Sequence, residues 1–104
     1  MLTVNLHATL WSMIKSFKHK GLEIFFLTGS KEGIQAHHAK KLQILLTALS
    51  NAQVESDMRA PAWNLYPLSG NLDKHWSVSV NGNWRMTFRF EGKDAILVNY
   101  QDYH

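Results

Sequence analysis

The sequence predicts an α+β domain in which two N-terminal helices pack on one face of a twisted, mainly antiparallel sheet. Three observations predict it. Two segments before residue 52 carry apolar side chains at helical spacing. Beyond Pro61 the apolar period changes to two. Asn81-Gly82 and the run Glu91-Gly92-Lys93-Asp94 then divide the last third of the chain into strands joined by tight turns.

Taken in order, residues 1–12 place Leu2, Val4, Leu6, Ala8 and Leu10 at alternate positions, while Leu2, Leu6 and Leu10 also suit a helical stripe. With a second methionine at Met13, the segment reads as an accessory piece outside a single domain spanning 13–104. Ile14-Lys15-Ser16-Phe17 reads as a short strand. Leu22, Phe25 and Phe26 then define a short helix that stops at Gly29. A longer helix runs from about Gln35 to Ala52, with Ile34, His38, Leu42, Leu45, Leu46 and Leu49 as its buried stripe and Lys40, Lys41 and Gln43 on the wetter side. His37 and His38 are adjacent on that helix, so they point about 100° apart and cannot easily share one metal ion.

Ser56 to Ala62 reads as a linker broken by Pro61. Asn64-Leu65-Tyr66-Pro67-Leu68 is a short strand, and its proline marks the strand's end or a sheet edge. His75 to Val80 alternates, with Trp76, Val78 and Val80 inward and Ser77 and Ser79 outward. Asn81-Gly82 predicts a type I′ hairpin turn. The return strand sets Trp84, Met86, Phe88 and Phe90 against Arg85, Thr87 and Arg89. A last strand, Ala95 to Tyr100, ends in Gln101-Asp102-Tyr103-His104. Trp63, Trp76 and Trp84 read as packing residues.

Composition narrows the function. With 104 residues, 45% of them hydrophobic, the chain makes one domain with a core that needs no staples. It has no cysteine, which excludes disulfides, a thiolate nucleophile and cysteine-ligated zinc, and agrees with a cytoplasmic location. A net charge of +3 favours a polyanionic partner: RNA, DNA or an acidic protein. No apolar run approaches the ~20 residues of a membrane span, and the first twelve residues lack the pattern of a secretory signal.

The chemistry concentrates at the end of the chain. Asp102, Tyr103 and His104 set an acid, a phenol and an imidazole at the tip of a strand, and an imidazole exchanges protons near neutral pH. Arg85 and Arg89 share one face of their strand, roughly 13 Å apart, and guanidinium forks suit phosphate oxygens. A hairpin turn at 91–94 would bring residues 84–86 beside 100–104, and so Arg85 toward Tyr103 and His104. A phosphodiester cut by its own 2′-hydroxyl needs a group to take the 2′ proton, one to protonate the departing 5′ oxygen and a cation to neutralise the phosphorane. His or Tyr can serve the first two and Arg the third, with no metal and no cofactor required.

Met13-Ile-Lys-Ser-Phe-Lys-His-Lys-Gly21, Leu65-Tyr66-Pro67-Leu68-Ser69-Gly70, Trp76-Ser-Val-Ser-Val80, Asn83-Trp84-Arg85-Met86-Thr87-Phe88 and Asn99-Tyr-Gln-Asp-Tyr-His104 together resemble the HigB branch of the RelE/ParE toxin superfamily. The resemblance runs in order from Met13 to His104. It implies a compact microbial-ribonuclease-like fold and a bacterial, ribosome-dependent mRNA endonuclease that arrests translation. The implied partners are a helix-turn-helix, HigA-like antitoxin, the ribosome and mRNA. It further implies that Asp102, Tyr103, His104 and Arg85 form the active site and that cleavage is metal-independent. On the same resemblance Tyr66 and Ser69 fall among the substrate contacts. Arg89, on the face of Arg85, joins them as a guanidinium suited to phosphate, and Lys18 and Lys20 flanking His19 read as a solvated linker or, in a ribosome-bound toxin, as a basic cluster that touches ribosomal RNA.

Two positions depart from the family pattern: Tyr66 stands where a histidine is usual, and Ser69 where a lysine is usual. A phenol with a pKa near 10 is a poorer base at pH 7 than imidazole, and Ser69 brings no charge to phosphate. Two rival readings follow. One is a ParE-like toxin that poisons DNA gyrase without nuclease chemistry. The other is a catalytically weakened homologue that still binds an antitoxin.

Overall fold

The computed structural model describes residues 14–103; the expectations for residues 1–12 and for His104 lie outside them. Among the described residues two α-helices, α1 (Lys20–Thr28) and α2 (Ala39–Asn51), precede four strands: β1 (Tyr66–Pro67), β2 (His75–Asn81), β3 (Trp84–Glu91) and β4 (Asp94–Asp102). The strands form one sheet in the order β1-β2-β3-β4, with every neighbouring pair antiparallel. The chain is α+β, as its two hydrophobic periods predict.

Helix α1 starts at His19, whose Nδ1 accepts the Leu22 N–H at 2.9 Å. An imidazole thus serves as N-cap for a backbone donor that has no partner within the helix, and His19 is half-buried rather than part of a solvated linker. The helix stops at Gly29, whose φ of 84° is left-handed and whose N–H donates to the Phe25 carbonyl at 2.8 Å. Helix α2 buries Leu42, Leu45, Leu46 and Leu49, the spacing of one helical stripe. Its predicted start at Gln35 is a 3-10 turn, Ala36–His38, before the α-helix begins. These leucines join Leu22 and Phe25 of α1 and Val78, Met86, Phe88 and Tyr100 of the sheet in one apolar core.

Gly21, at the start of α1, lies against the backbone of Gly33. A Cβ on Gly21 would run into the Gly33 carbonyl oxygen and stand 2.7 Å from the Gly33 Cα. Backbone atoms cannot rotate aside. Gly21→Ala therefore gains about 1 kcal/mol of helix propensity but incurs overpacking worth about 1–3 kcal/mol or more. A lower thermal midpoint is expected, and a midpoint at or above that of the parent would contradict this packing.

Four expectations need correction. The β2–β3 turn is Gly82-Asn83, not Asn81-Gly82: Asn81 pairs with Trp84, and Gly82 carries a positive φ of 56° while Asn83 does not. That is the type II′ pattern. The displacement comes from a bulge between Ser79 and Asn81, which adds a residue to β2 just before the turn. The 56–62 linker is more structured than Pro61 implies. Residues Glu55–Met58 form a 3-10 turn, and Met58 is fully buried.

Ser77, read as outward, does face away from the core but is buried with its cross-strand neighbour Thr87. The 14–17 strand reduces to two isolated parallel bridges along the outer edge of β4, Ile14 to Ala95 and Phe17 to Val98. The cause is a second bulge, where Leu97 takes a φ of 55° and its N–H leaves the ladder to reach Ser16 Oγ at 2.9 Å. Among the described residues no helix is long and apolar enough to cross a membrane.

Candidate active site

The polar face of the sheet follows from the registers. Tyr66 pairs with Ser77, Ser77 with Thr87 and Thr87 with Asn99, making one row across four strands. The next row is Ser79, Arg85 and Gln101. Side chains alternate along a strand, so Tyr66 and Arg85 project from the same face. Two strand spacings and two residues of rise separate their Cα atoms by roughly 12 Å, a span that both side chains can close onto one phosphodiester. Tyr66 is 65% exposed, so its hydroxyl is open to a ligand rather than packed as a strand aromatic.

Arg85 is held near the β2–β3 turn. Its Nη1 donates to Ser79 Oγ at 2.8 Å and to the Gly82 carbonyl at 3.4 Å. Both contacts use the same nitrogen, so among the described residues the Nε–Nη2 edge of the fork stays available for a phosphate. Ser79 in turn accepts from Asn64 Nδ2 at 3.0 Å.

The β3–β4 register places the chain end as the hairpin predicts: Trp84 pairs with Asp102, Arg85 with Gln101 and Met86 with Tyr100. Alternation sets Gln101 on the Arg85 face and Asp102 on the opposite, helix-facing side, where it is exposed. Beyond the last pair, Tyr103 donates its N–H to the Asn83 carbonyl at 2.8 Å, and alternation returns its side chain to the Arg85 side. His104 lies outside the described residues.

The other expected contacts are dispersed. Arg89 pairs with His75 on the same face as Arg85; it is half-buried, and its Nε is buried without a partner among the described residues. Ser69 is exposed, just before a 3-10 turn at Gly70–Leu72. Lys18 and Lys20 are exposed at the outer edge of β4, where Lys18 N–H donates to the Val98 carbonyl at 2.8 Å. The structure does not gather these lysines with Arg85. Among the described residues no three His, Cys, Asp or Glu side chains are grouped to hold a metal ion.

A buried polar pair lies under the site on the core side. His38, 2% exposed, has its Nδ1 2.6 Å from Tyr100 Oη, and that oxygen accepts the Gln35 N–H at 3.3 Å. Tyr100 stacks on Trp84 with ring centroids 4.7 Å apart, and Trp84 meets His38 edge-on at 5.4 Å. All bonds are satisfied when the Tyr100 hydroxyl donates to a neutral imidazole. Burial pushes the His38 pKa down, aided by the neighbouring His37 charge, and burial also lowers that of His19. Burial pushes the Tyr100 phenol up.

A lowered folded-state pKa means the unfolded chain binds the proton first. Stability is therefore full above the unfolded histidine value of about 6.5. It falls as pH drops below that value, with a slope of up to about 1.4 kcal/mol per pH unit from His38. Thermal melts at pH 8 to 5 should show the fall, and His38→Gln, which keeps an acceptor for Tyr100, should flatten it. An unchanged slope in that variant would remove His38 from the account.

Sequence reasoning missed Ser79 as the partner of Arg85 and Asn64 as the partner of Ser79. Ser79 was out of reach, because only the bulge before the turn sets it opposite Arg85. Asn64 was out of reach too, since its approach depends on where β1 docks. His38 falls on the buried stripe of α2, but its partner Tyr100 is 62 residues away.

Comparison with known proteins adds a family to this geometry. The family model described as RelE-like toxin of type II toxin-antitoxin system HigB matches residues 15–104. Endoribonuclease HigB of Proteus vulgaris is 40% identical over 92 residues, covering 88% of this chain and 100% of that protein. Toxin HigB-1 of Vibrio cholerae serotype O1 is 34% identical over 99 residues, covering 88% of this chain and 98% of that protein.

Proposed function

The chain belongs to the RelE-like HigB toxins of type II toxin–antitoxin systems, and from that premise we propose that it is an endoribonuclease that cuts mRNA on the ribosome. The observation that carries the proposal is the placement of Arg85. It stands half-buried on the polar sheet face with a free guanidinium edge among the described residues, and its strand neighbour ends in Asp102-Tyr103-His104. The relative named an endoribonuclease supports the reaction class. Residues 13–104 make the toxin domain on a RelE-like, microbial-ribonuclease-like fold, with residues 1–12 as an accessory segment.

In this reading the 2′-hydroxyl of a nucleotide attacks the adjacent phosphorus. A bond forms from the 2′ oxygen to phosphorus and the bond to the 5′ oxygen breaks. Tyr103 and His104 take the 2′ proton and give one to the departing 5′ oxygen. Asp102, on the other side of the strand end, orients a neighbour in the tail. Arg85 offers its Nε–Nη2 edge to the charge that builds on the phosphorane, where preorganised donors act most strongly. Tyr66 contacts the nucleotide, and Ser69, Arg89, Lys18 and Lys20 line the path of the RNA. No cofactor enters the scheme. A HigA-like antitoxin silences the protein in the bacterial cytoplasm.

The test is induction in bacteria without an antitoxin, followed by mapping of mRNA ends. Discrete cuts that leave 2′,3′-cyclic phosphate and 5′-hydroxyl ends are expected. DNA damage with intact mRNA would instead favour the gyrase-poisoning reading, and harmless expression would favour a weakened antitoxin-binding homologue.

A further inference from the structure

Arg85, Ser79, Asn64 and the Gly82 carbonyl meet near the β2–β3 hairpin turn, and the orientation of Arg85 there has an identifiable cause. A free arginine on a sheet surface samples many rotamers, and ordering it costs up to about 2 kcal/mol of side-chain entropy. Here one nitrogen is anchored twice, on Ser79 Oγ and on the Gly82 carbonyl. The Gly82 contact is long, at 3.4 Å, so Ser79 at 2.8 Å is the stronger hold. Ser79 is itself braced. Its N–H donates to the Trp63 carbonyl at 2.7 Å, and its hydroxyl oxygen accepts from Asn64 Nδ2 at 3.0 Å.

A serine hydroxyl oxygen has two lone pairs. Asn64 occupies one and Arg85 the other, so the oxygen is fixed in place and its position relative to the guanidinium is fixed with it. Asn64 reaches Ser79 because its own φ is 53°, in the left-handed region that asparagine tolerates better than most residues. Ala62, two residues earlier, also carries a positive φ, of 70°.

We propose that Ser79, braced by Asn64, is a positioning residue for Arg85: it ties down Nη1 and thereby turns the Nε–Nη2 edge of the guanidinium outward to receive the scissile phosphate. The assignment rests on the reading of Arg85 as the phosphate-binding group of the nuclease. Neither residue touches the reacting atoms. Loss of the tie leaves the charge present and the fork misaimed, and misplacement on the scale of an ångström costs up to about 10²-fold in rate.

The experiment compares Ser79→Ala, Ser79→Thr, Asn64→Gly and Arg85→Ala in cleavage of an mRNA on purified ribosomes, with a thermal melt of each. Ser79→Ala should lower kcat about tenfold and leave KM within about twofold, because the charge that attracts RNA remains. Ser79→Thr keeps the hydroxyl and should restore kcat. Asn64→Gly keeps the left-handed backbone but removes the amide, and should lower kcat by less than Ser79→Ala at an unchanged melting temperature. A Ser79→Ala protein with parental kcat, or a Ser79→Thr protein as slow as Ser79→Ala, overturns the assignment while Arg85→Ala remains slow. Full activity of Arg85→Ala would instead bring down the reading of the active site on which the proposal rests.

Discussion

Arg85→Ala is expected to reduce mRNA cleavage about 10²- to 10³-fold, the loss usual when one preorganised donor to a developing oxyanion is removed. The effect should fall on kcat more than on KM, because the phosphorane carries more charge than the substrate phosphodiester and an interaction that strengthens with that charge acts mainly in the transition state. The fold should survive. Arg85 is half-buried on the polar face, away from the Val78, Met86 and Phe88 core, and surface changes of this kind shift stability by about 0.5 kcal/mol. Circular dichroism and a thermal melt would verify that. Single-turnover cleavage of ribosome-bound mRNA would measure the loss. Parental rates in this variant would show that the guanidinium does no work on the phosphate, and the proposed site would have to be abandoned. Arg85→Lys tests the geometry further: a lysine restores the charge but not the fork, so it should recover only part of the rate.

Ending the chain after Asp102 should cost still more. It removes both the phenol of Tyr103 and the imidazole of His104, and each proton-transfer group typically contributes about 10²- to 10⁴-fold. The structure predicts little loss of stability alongside. Among the described residues Tyr103 is tied to the sheet by its N–H to the Asn83 carbonyl, and β4 is already paired with β3 through Asp102. A backbone bond at a strand end is worth about 1 kcal/mol net. Near-parental melting combined with loss of cleavage and of growth arrest is therefore the expected result. Growth arrest by the truncated protein, with mRNA cut at the same positions, would relocate the proton chemistry. Tyr103→Phe separates the two rings, since it keeps the aromatic body and removes only the ionisable hydroxyl.

These expectations draw unequally on what a reader of the sequence could see. The helices were legible because local information specifies them: Leu22 and Phe25 lie three apart, Leu42, Leu45, Leu46 and Leu49 make a stripe, and Gly29 ends α1 where a left-handed residue is needed. The meander was legible because period-two alternation marks β2 and β3 and short turns join consecutive strands. The turn at 91–94 brings Arg85 toward the end of β4, and the bulge at Leu97 then shifts the register by one residue to set it opposite Gln101.

The bulges were not legible. A bulge is one extra residue whose cost and benefit depend on the partner strand, and no local pattern distinguishes Val80 or Leu97 from their neighbours. One such residue moved the β2–β3 turn from Asn81-Gly82 to Gly82-Asn83, and another turned β4 so that Ser16 and Val98 could meet.

The amino-acid order by itself therefore determined the α+β class, the helical and strand faces and the bringing of Arg85 beside the chain end, because each depends on contacts between near neighbours or across one hairpin. Tertiary structure alone decided what surrounds those groups: the Asn64–Ser79–Arg85 chain of hydrogen bonds, the His38–Tyr100 pair beneath Trp84 and the alternation that separates Asp102 from Arg85. Those contacts join residues up to 62 positions apart, and a hydrogen bond forms only within about half an ångström of its ideal length, so it is the packed register of the whole sheet, not the spacing of residues along the chain, that makes or breaks them.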